Sequence, residues 1–380
     1  MRGPIYLDYN ATTPHDPEVI AAMRPFLEEH FGNPSSSHYY GLKTREAVEA
    51  ARAQVASLLG CLPEEIFFTS GGTESNNHAI KGIAAAYRDK GNHVITTQIE
   101  HPAVTAVCKY LETYGIQSTY LTVDEYGLVN IRDIEAAITP ETILITVMHA
   151  NNEVGTIQPI AEIAAIARRK GIVLHTDAAQ SVGKIPAHVS TLGVDLLSIA
   201  GHKLYAPKGI GVLYVRKGIE TAKFMHGAGQ ESGKRAGTEN VLEIVGLGKA
   251  CEIAERDLQK NIHHMQAMRD RLYEGLRQQV MDIRLNGHDE LRLPNTLSLC
   301  FKGIEADKLL SDIQDRVAAS AGAACHSGEC RISSVLTAMK VPQEWARGSL
   351  RFSTGKMTTG EDIEEAMAFI TQAVLKLRQW

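Results

Sequence analysis

Residues 159–181 read "PIAEIAAIARRKGIVLHTDAAQS", and this stretch decides the fold. Its first half carries apolar positions at helical spacing and stops at Lys170 and Gly171, a basic last turn followed by a helix-ending glycine. Its second half is a short apolar run that ends on Asp177. A helix feeding directly into a buried strand is the repeating unit of a parallel sheet covered on both faces.

The same alternation runs outward in both directions, from about residue 50 to 250. The segments "EEIFFTS", "NHVITTQ", "TILITVMHA", "DLLSIAG" and "GIGVLYVR" all read as strands, with helical patterns between several of them. From roughly 240 to 285 one long polar-faced helical region leads to a second lobe, which mixes strands ("NTLSLCF", "SLRFST") with helices. The last helix places Ile363, Met367, Ile370, Val374 and Leu377 on one face. The expected division is an N-terminal segment 1–15 packing with the small domain, a large domain 16–257 and a small domain 258–380.

Composition narrows the function classes. The chain has 380 residues, 44% hydrophobic and 22% charged, with a formal net charge of -5. That balance is globular and argues against nucleic-acid binding through bulk positive charge. Six cysteines, at 61, 108, 251, 300, 325 and 330, are too few for a disulfide framework. The N-terminal "MRGPIYLDYNATTP" has no apolar stretch of signal-peptide length, and no apolar run is long enough to span a bilayer. The expected compartment is the cytoplasm, where thiols stay reduced unless chemistry uses them.

Three strand ends carry more than folding requires. In "TSGGTESNNHAI" (69–80) Gly71 and Gly72 allow a tight turn and Thr73 opens a helix, which suits either a phosphate site or an ordinary N-cap by Ser70 or Thr73. Asp177 arrives at the end of its strand, where an acid serves a metal, a ribose, a heterocyclic nitrogen or only a turn. Lys203, in "DLLSIAGHKLYAPKGIGVLYV", follows a strand and a small-residue turn; it is either a surface charge or an amine able to form a Schiff base. In conjunction the three describe pyridoxal 5'-phosphate: a helix start for the phosphate, an acid for the pyridine nitrogen, a lysine for the aldehyde.

The ordered motifs "YLDYNATTP", "FGNPSSSH", "TSGGTESNN", "EHPAV", "NNEVG", "HTDAAQ", "GHK", "RAGTEN", "GAACHSG" and "LRFSTG" run nearly end to end. With them the sequence resembles the cysteine desulfurases of the NifS/IscS type, in class V of the pyridoxal-phosphate aminotransferase superfamily. The resemblance implies the pyridoxal-phosphate fold type I, with a mostly parallel seven-stranded sheet in the large domain and a smaller α+β C-terminal domain. It assigns Lys203 as the lysine that carries the cofactor, Asp177 as the partner of its ring nitrogen, and His101 as a proton-transfer group over the ring. Gln180 and Asn152 are then expected near the ring oxygen. Gly72, Thr73 and His202 are expected at the phosphate, with Thr238 reaching across from a partner subunit of a homodimer. Arg351 clamps the carboxylate of L-cysteine, assisted by Asn33; a planar guanidinium suits that bidentate task better than an ammonium.

The stretch "AGAACHSGECR" (321–331) aligns with the family's nucleophile loop and assigns Cys325 as the thiol that takes sulfur from substrate as a persulfide, leaving L-alanine. Small residues around it read as a loop able to swing between substrate and a sulfur-acceptor protein. Cys330 remains open, as a resolving thiol, a ligand shared with an acceptor, or a bystander. One departure from the family is Ala200, which stands where relatives often carry a serine before Gly-His-Lys. Selenocysteine lyase, a plain class-V aminotransferase and a non-catalytic docking subunit are the competing readings. His149 and His175 read as core or sheet-edge residues, and no metal-ligand pattern is expected.

Overall fold

The computed structural model describes residues 3–326 and 329–378; the side chains of 323–331 are also outside that description. After a two-residue strand β1 (Ile5–Tyr6), the chain builds a seven-stranded sheet from β2 (Ile66–Thr69), β3 (His93–Thr97), β4 (Gln117–Leu121), β5 (Thr142–Thr146), β6 (Val173–Asp177), β7 (Leu196–Ala200) and β8 (Gly211–Val215). The spatial order is β2-β8-β7-β6-β5-β3-β4. Every neighbouring pair is parallel except the two that involve β8. The opening stretch forms the helix Ile160–Lys170, closed by Gly171 in the left-handed conformation, and then β6 near the middle of that sheet.

Apart from β4, these strands are buried along their whole length, as parallel strands covered on both faces must be. Helices lie against both faces, with one apolar core around Ile95, Ile145, Leu174 and Ile199 and another around Ile80, Val94, Leu144 and Leu196. The strand β4 escapes a reading by hydrophobicity because it is an edge strand, "QSTYL", exposed at Gln117 and only half-buried through Tyr120.

A helix of 39 residues, Val241–Gln279, then leads to a four-stranded antiparallel sheet. Its members are β9 (Ile283–Asn286), β10 (Thr296–Phe301), β12 (Ser320–Ala321) and β15 (Ser349–Ser353), and the short β11 (Val317–Ala318) pairs instead with β1. Ile5 and Leu7 thereby join the core formed by Leu297, Leu299, Phe352 and the C-terminal helix Gly360–Leu377. That helix buries Ile363, Met367, Ile370 and Val374, the stripe expected from their spacing. Among the described residues, no helix is long and apolar enough to cross a membrane.

Where the sequence reads as a loop of small residues, the backbone forms the strands β13 (Ala323–His326) and β14 (Glu329–Ile332), with Cys325 directly opposite Cys330 in register. The reason is legible afterwards. In the sequence, Ser327-Gly328 is a two-residue turn signal between segments of equal length. The base of this hairpin is pinned to β15, since Gly322 N donates to Ser349 O at 2.8 Å and Ser333 N donates to Gly322 O at 3.0 Å.

Candidate active site

A cavity of about 260 Å³ opens at the carboxyl ends of the parallel strands, the place where open α/β sheets bind ligands. Gly72, Thr73, His101, Asn152, Asp177, Gln180, His202, Lys203 and Arg351 all line it. Asn33 does not: it is exposed, and its Oδ1 accepts from Ser35 N at 2.9 Å. Thr238 is also elsewhere, in a separate recess with Thr69, Ser70, Glu231 and Arg235.

The floor is β6. Asp177 is 7% exposed and accepts from Asn76 Nδ2 at 2.7 Å and from Ala179 N at 3.0 Å. A carboxylate has about four acceptor positions, so two bonds leave capacity for a further donor. Asn76 sits one turn into the helix Gly72–Ala86, and its Oδ1 is buried with no partner among the described residues. It was not singled out from the sequence, although a buried polar residue four positions after Gly72 falls on the same helix face.

The start of that helix lacks a side-chain cap, so neither Ser70 nor Thr73 plays the capping role. Gly71, with φ 148°, adopts a conformation that side chains disfavour, and a Cβ on Gly211 would stand 2.6 Å from Gly71 Cα. These two glycines let the turn lie flat against β8. Ala200 lines the cavity beside Gly72, with its Cβ 3.2 Å from where a Cβ on Gly72 would be. His202 hydrogen-bonds through Nδ1 to Thr12 Oγ1 at 3.2 Å. Burial, reinforced by Lys203, Lys208 and Lys184, pushes its pKa down to about 4, so the ring is neutral at pH 7.

Lys203 lies at the head of β7, and its amine donates to the main-chain carbonyls of Asn10 and of Ala11, the latter at 2.6 Å. Burial lowers its pKa to about 8, helped by the charge of Arg351 and opposed by Asp8 and Asp177. His101 caps the helix Pro102–Glu112, its Nδ1 accepting from Ala103 N at 3.1 Å. In the neutral ring the proton therefore sits on Nε2, the nitrogen left for the cavity. Capping and lining the cavity are compatible roles for one imidazole.

The far wall comes from β15 and the N-terminal segment. Arg351 donates to Asn152 O at 3.0 Å, Asp8 Oδ1 at 2.8 Å and Ser320 Oγ at 3.1 Å, while its Nε is buried and has no partner among the described residues. Asn10 is a hub: its side chain donates to Thr296 Oγ1 and Asn152 O, and its carbonyl accepts from Gln180 Nε2 at 2.9 Å as well as from Lys203. Asp8 and Asn10 lie within "YLDYNATTP", a motif whose individual contacts no local pattern announces. His149 and His175 sit in the core as expected, the first bonded to Ser181 Oγ and the second to Thr146 Oγ1 and Ser198 Oγ.

Taken together, the sheet order, the strand-end acid and the strand-end lysine define the class of fold type I enzymes. A model of the class-V aminotransferases matches residues 5–366. A cysteine desulfurase IscS of Dictyoglomus turgidum is 48% identical, covering 100% of this chain and 96% of that protein. Among solved structures, a NifS-like protein superposes with a TM-score of 0.92 at 38% identity, covering 100% of both chains. SspA in complex with cysteine superposes at 0.81 with 38% identity, over 93% of this chain and 99% of SspA. The chain belongs to the class-V aminotransferase family, and within it to the cysteine desulfurases of the NifS/IscS type.

Proposed function

We propose that this chain is a pyridoxal-phosphate-dependent cysteine desulfurase that converts L-cysteine to L-alanine and passes the sulfur to an acceptor protein. The observation that carries the reading is the convergence of Lys203, Asp177, His101 and Arg351 on one cavity. The residues present fit the cofactor. An uncapped helix start and a neutral His202 suit its phosphate, Asp177 has acceptor capacity left for a ring N–H, and Lys203 has no carboxylate bonded to its amine. When bound, pyridoxal phosphate supplies an electron sink for the substrate's α-carbon.

Lys203 would hold the cofactor's aldehyde, and as a free amine it would serve as the base for the substrate's α-proton. Its lowered pKa makes the neutral amine available close to neutral pH. His101 carries a proton on Nε2 toward the same space. Arg351 fixes the substrate carboxylate: its Nη1 spends one of its two hydrogens on Asn152 O and keeps the other for that anion. Cys325 attacks the substrate sulfur: its thiolate forms an S–S bond, the substrate C–S bond breaks, and the carbon skeleton takes up a proton and departs as L-alanine. The persulfide sulfur then moves to the acceptor thiol.

The active form proposed is a homodimer, in which Asn33 and Thr238 serve a site they do not line within their own chain. Exposed Leu27, Phe31, Tyr39 and Tyr40, clustered before and within "FGNPSSSHYY", support a second copy covering this face. The packing of Ile5 and Leu7 into the C-terminal core supports an N-terminal segment 1–15 that belongs with the small domain.

The test is sulfide release from L-cysteine with dithiothreitol by the cofactor-loaded protein and by Cys325→Ala. Wild type is expected to yield alanine and sulfide and the variant neither. Full activity in the variant overturns the persulfide route.

A further inference from the structure

Lys184 lies on the segment after β6 and is 4% exposed. An amine so deeply placed needs hydrogen-bond partners. Among the described residues it makes no ion pair; it donates to Gln180 Oε1 at 2.8 Å and to Asn10 Oδ1 at 3.4 Å. The charged groups that bear on it are Lys203 and Arg351, both cations, and burial with these charges lowers its pKa well below the ordinary lysine value.

The surrounding bonds fix the roles of every atom. Asn10 O is a carbonyl and only accepts, so the edge of Gln180 facing it at 2.9 Å must be the NH₂ edge. Asn10 Oδ1 already accepts from Asn295 Nδ2 at 2.9 Å, so Lys184 meets it as a donor. The remaining end of Gln180, its carbonyl oxygen, therefore faces Lys184. Gln180 lines the cavity, and only one N–H of its Nε2 is committed to Asn10 O.

We propose that Lys184 is a positioning residue of the cofactor site: by occupying Gln180 Oε1 it holds the carboxamide with its NH₂ edge toward Asn10 O and the cavity, so that the bound ring's oxygen meets a donor. Without Lys184 none of the described residues donates to the carboxamide oxygen, and Asn10 O alone has to hold the NH₂ edge in place. A carboxamide that turns away from Asn10 O presents its oxygen to the cavity, which favours a proton on the ring oxygen or the adjoining nitrogen.

This inference rests on the pyridoxal-phosphate reading, and one experiment separates the two. The visible absorption band of pyridoxal-phosphate-loaded protein is titrated with pH for wild type, Lys184→Met, Lys184→Gln, Gln180→Ala and the Lys184→Met/Gln180→Ala double variant, with thermal melting as a check of folding. Lys184→Met is expected to raise the midpoint by about one pH unit. Lys184→Gln, which keeps a donor, is expected to restore most of that change. The double variant is expected to lie close to Gln180→Ala alone, because the proposed effect of Lys184 on the ring runs through the Gln180 carboxamide. A Lys184→Met midpoint equal to wild type overturns the proposal, as does full additivity in the double variant. Failure of both lysine variants to fold also overturns it, since Lys184 would then serve the fold. Absence of any visible band in wild type instead overturns the cofactor reading itself.

Discussion

Two cations face the same cavity and are partnered in opposite ways. Arg351 is held by a carboxylate, Asp8, together with Ser320 and the Asn152 carbonyl. Among the described residues, Lys203 is held by two neutral carbonyls, those of Asn10 and Ala11. The difference matches the role proposed for each group. A guanidinium that recognises an anion has to stay charged and aimed, and a bonded carboxylate serves both ends. An amine that has to act as a nucleophile and base has to shed its proton, and neutral acceptors in a buried place leave its pKa near 8. Residue type alone does not separate the roles; the choice of partner does.

Exchanging the cations breaks the comparison most severely. Lys203→Arg keeps a positive charge but removes the Schiff-base amine. Covalent cofactor attachment, read as the visible band, is expected to vanish and turnover to fall by roughly 10²–10⁴-fold. A Lys203→Arg protein that retains both would show that another amine does this work. Arg351→Lys comes next: loss of hydrogen bonds to a charged group, about 1.5–3 kcal/mol, predicts a KM for L-cysteine raised by about 10- to 100-fold with the cofactor band unchanged. An unaltered KM would remove Arg351 from carboxylate recognition.

The smallest effect sharpens the comparison. Asp8 raises the pKa of Lys203, and Asp8→Asn removes that charge. The amine then loses its proton at lower pH. The midpoint of the rise in pyridoxal-phosphate uptake by the cofactor-free protein is expected to fall below that of wild type. KM should increase severalfold at most, since an amide can still accept from Arg351. A midpoint that rises instead would reverse the assigned sign of the coupling.

What the sequence could and could not tell divides along physical lines. Asp177 and Lys203 are legible because each ends an apolar strand, and a strand end in a parallel sheet is already a location. Asp8, Asn10 and Lys184 are not, because their partners lie far off in the chain or, for Lys184, depend on a carbonyl contributed from residue 10. The strand β4 was missed because an exposed edge lacks the apolar signature of its neighbours. The β13–β14 pairing is hard to read because small residues suit a mobile loop as well as a hairpin, and a Ser-Gly turn signal alone does not decide between them.

The helix Val241–Gln279 belongs to both ends of the molecule at once. Ile244, Leu247 and Cys251 lie in the core beneath the large sheet, and Leu272 and Leu276 lie in the core of the C-terminal sheet. At 1.5 Å per residue it is about 58 Å of unbroken hydrogen-bonded chain. Melting either core strips one end of this rod of its packing, and a helix owes most of its stability to packing. The two cores therefore share the cost of unfolding, and denaturation is expected to run as a single cooperative transition rather than lobe by lobe.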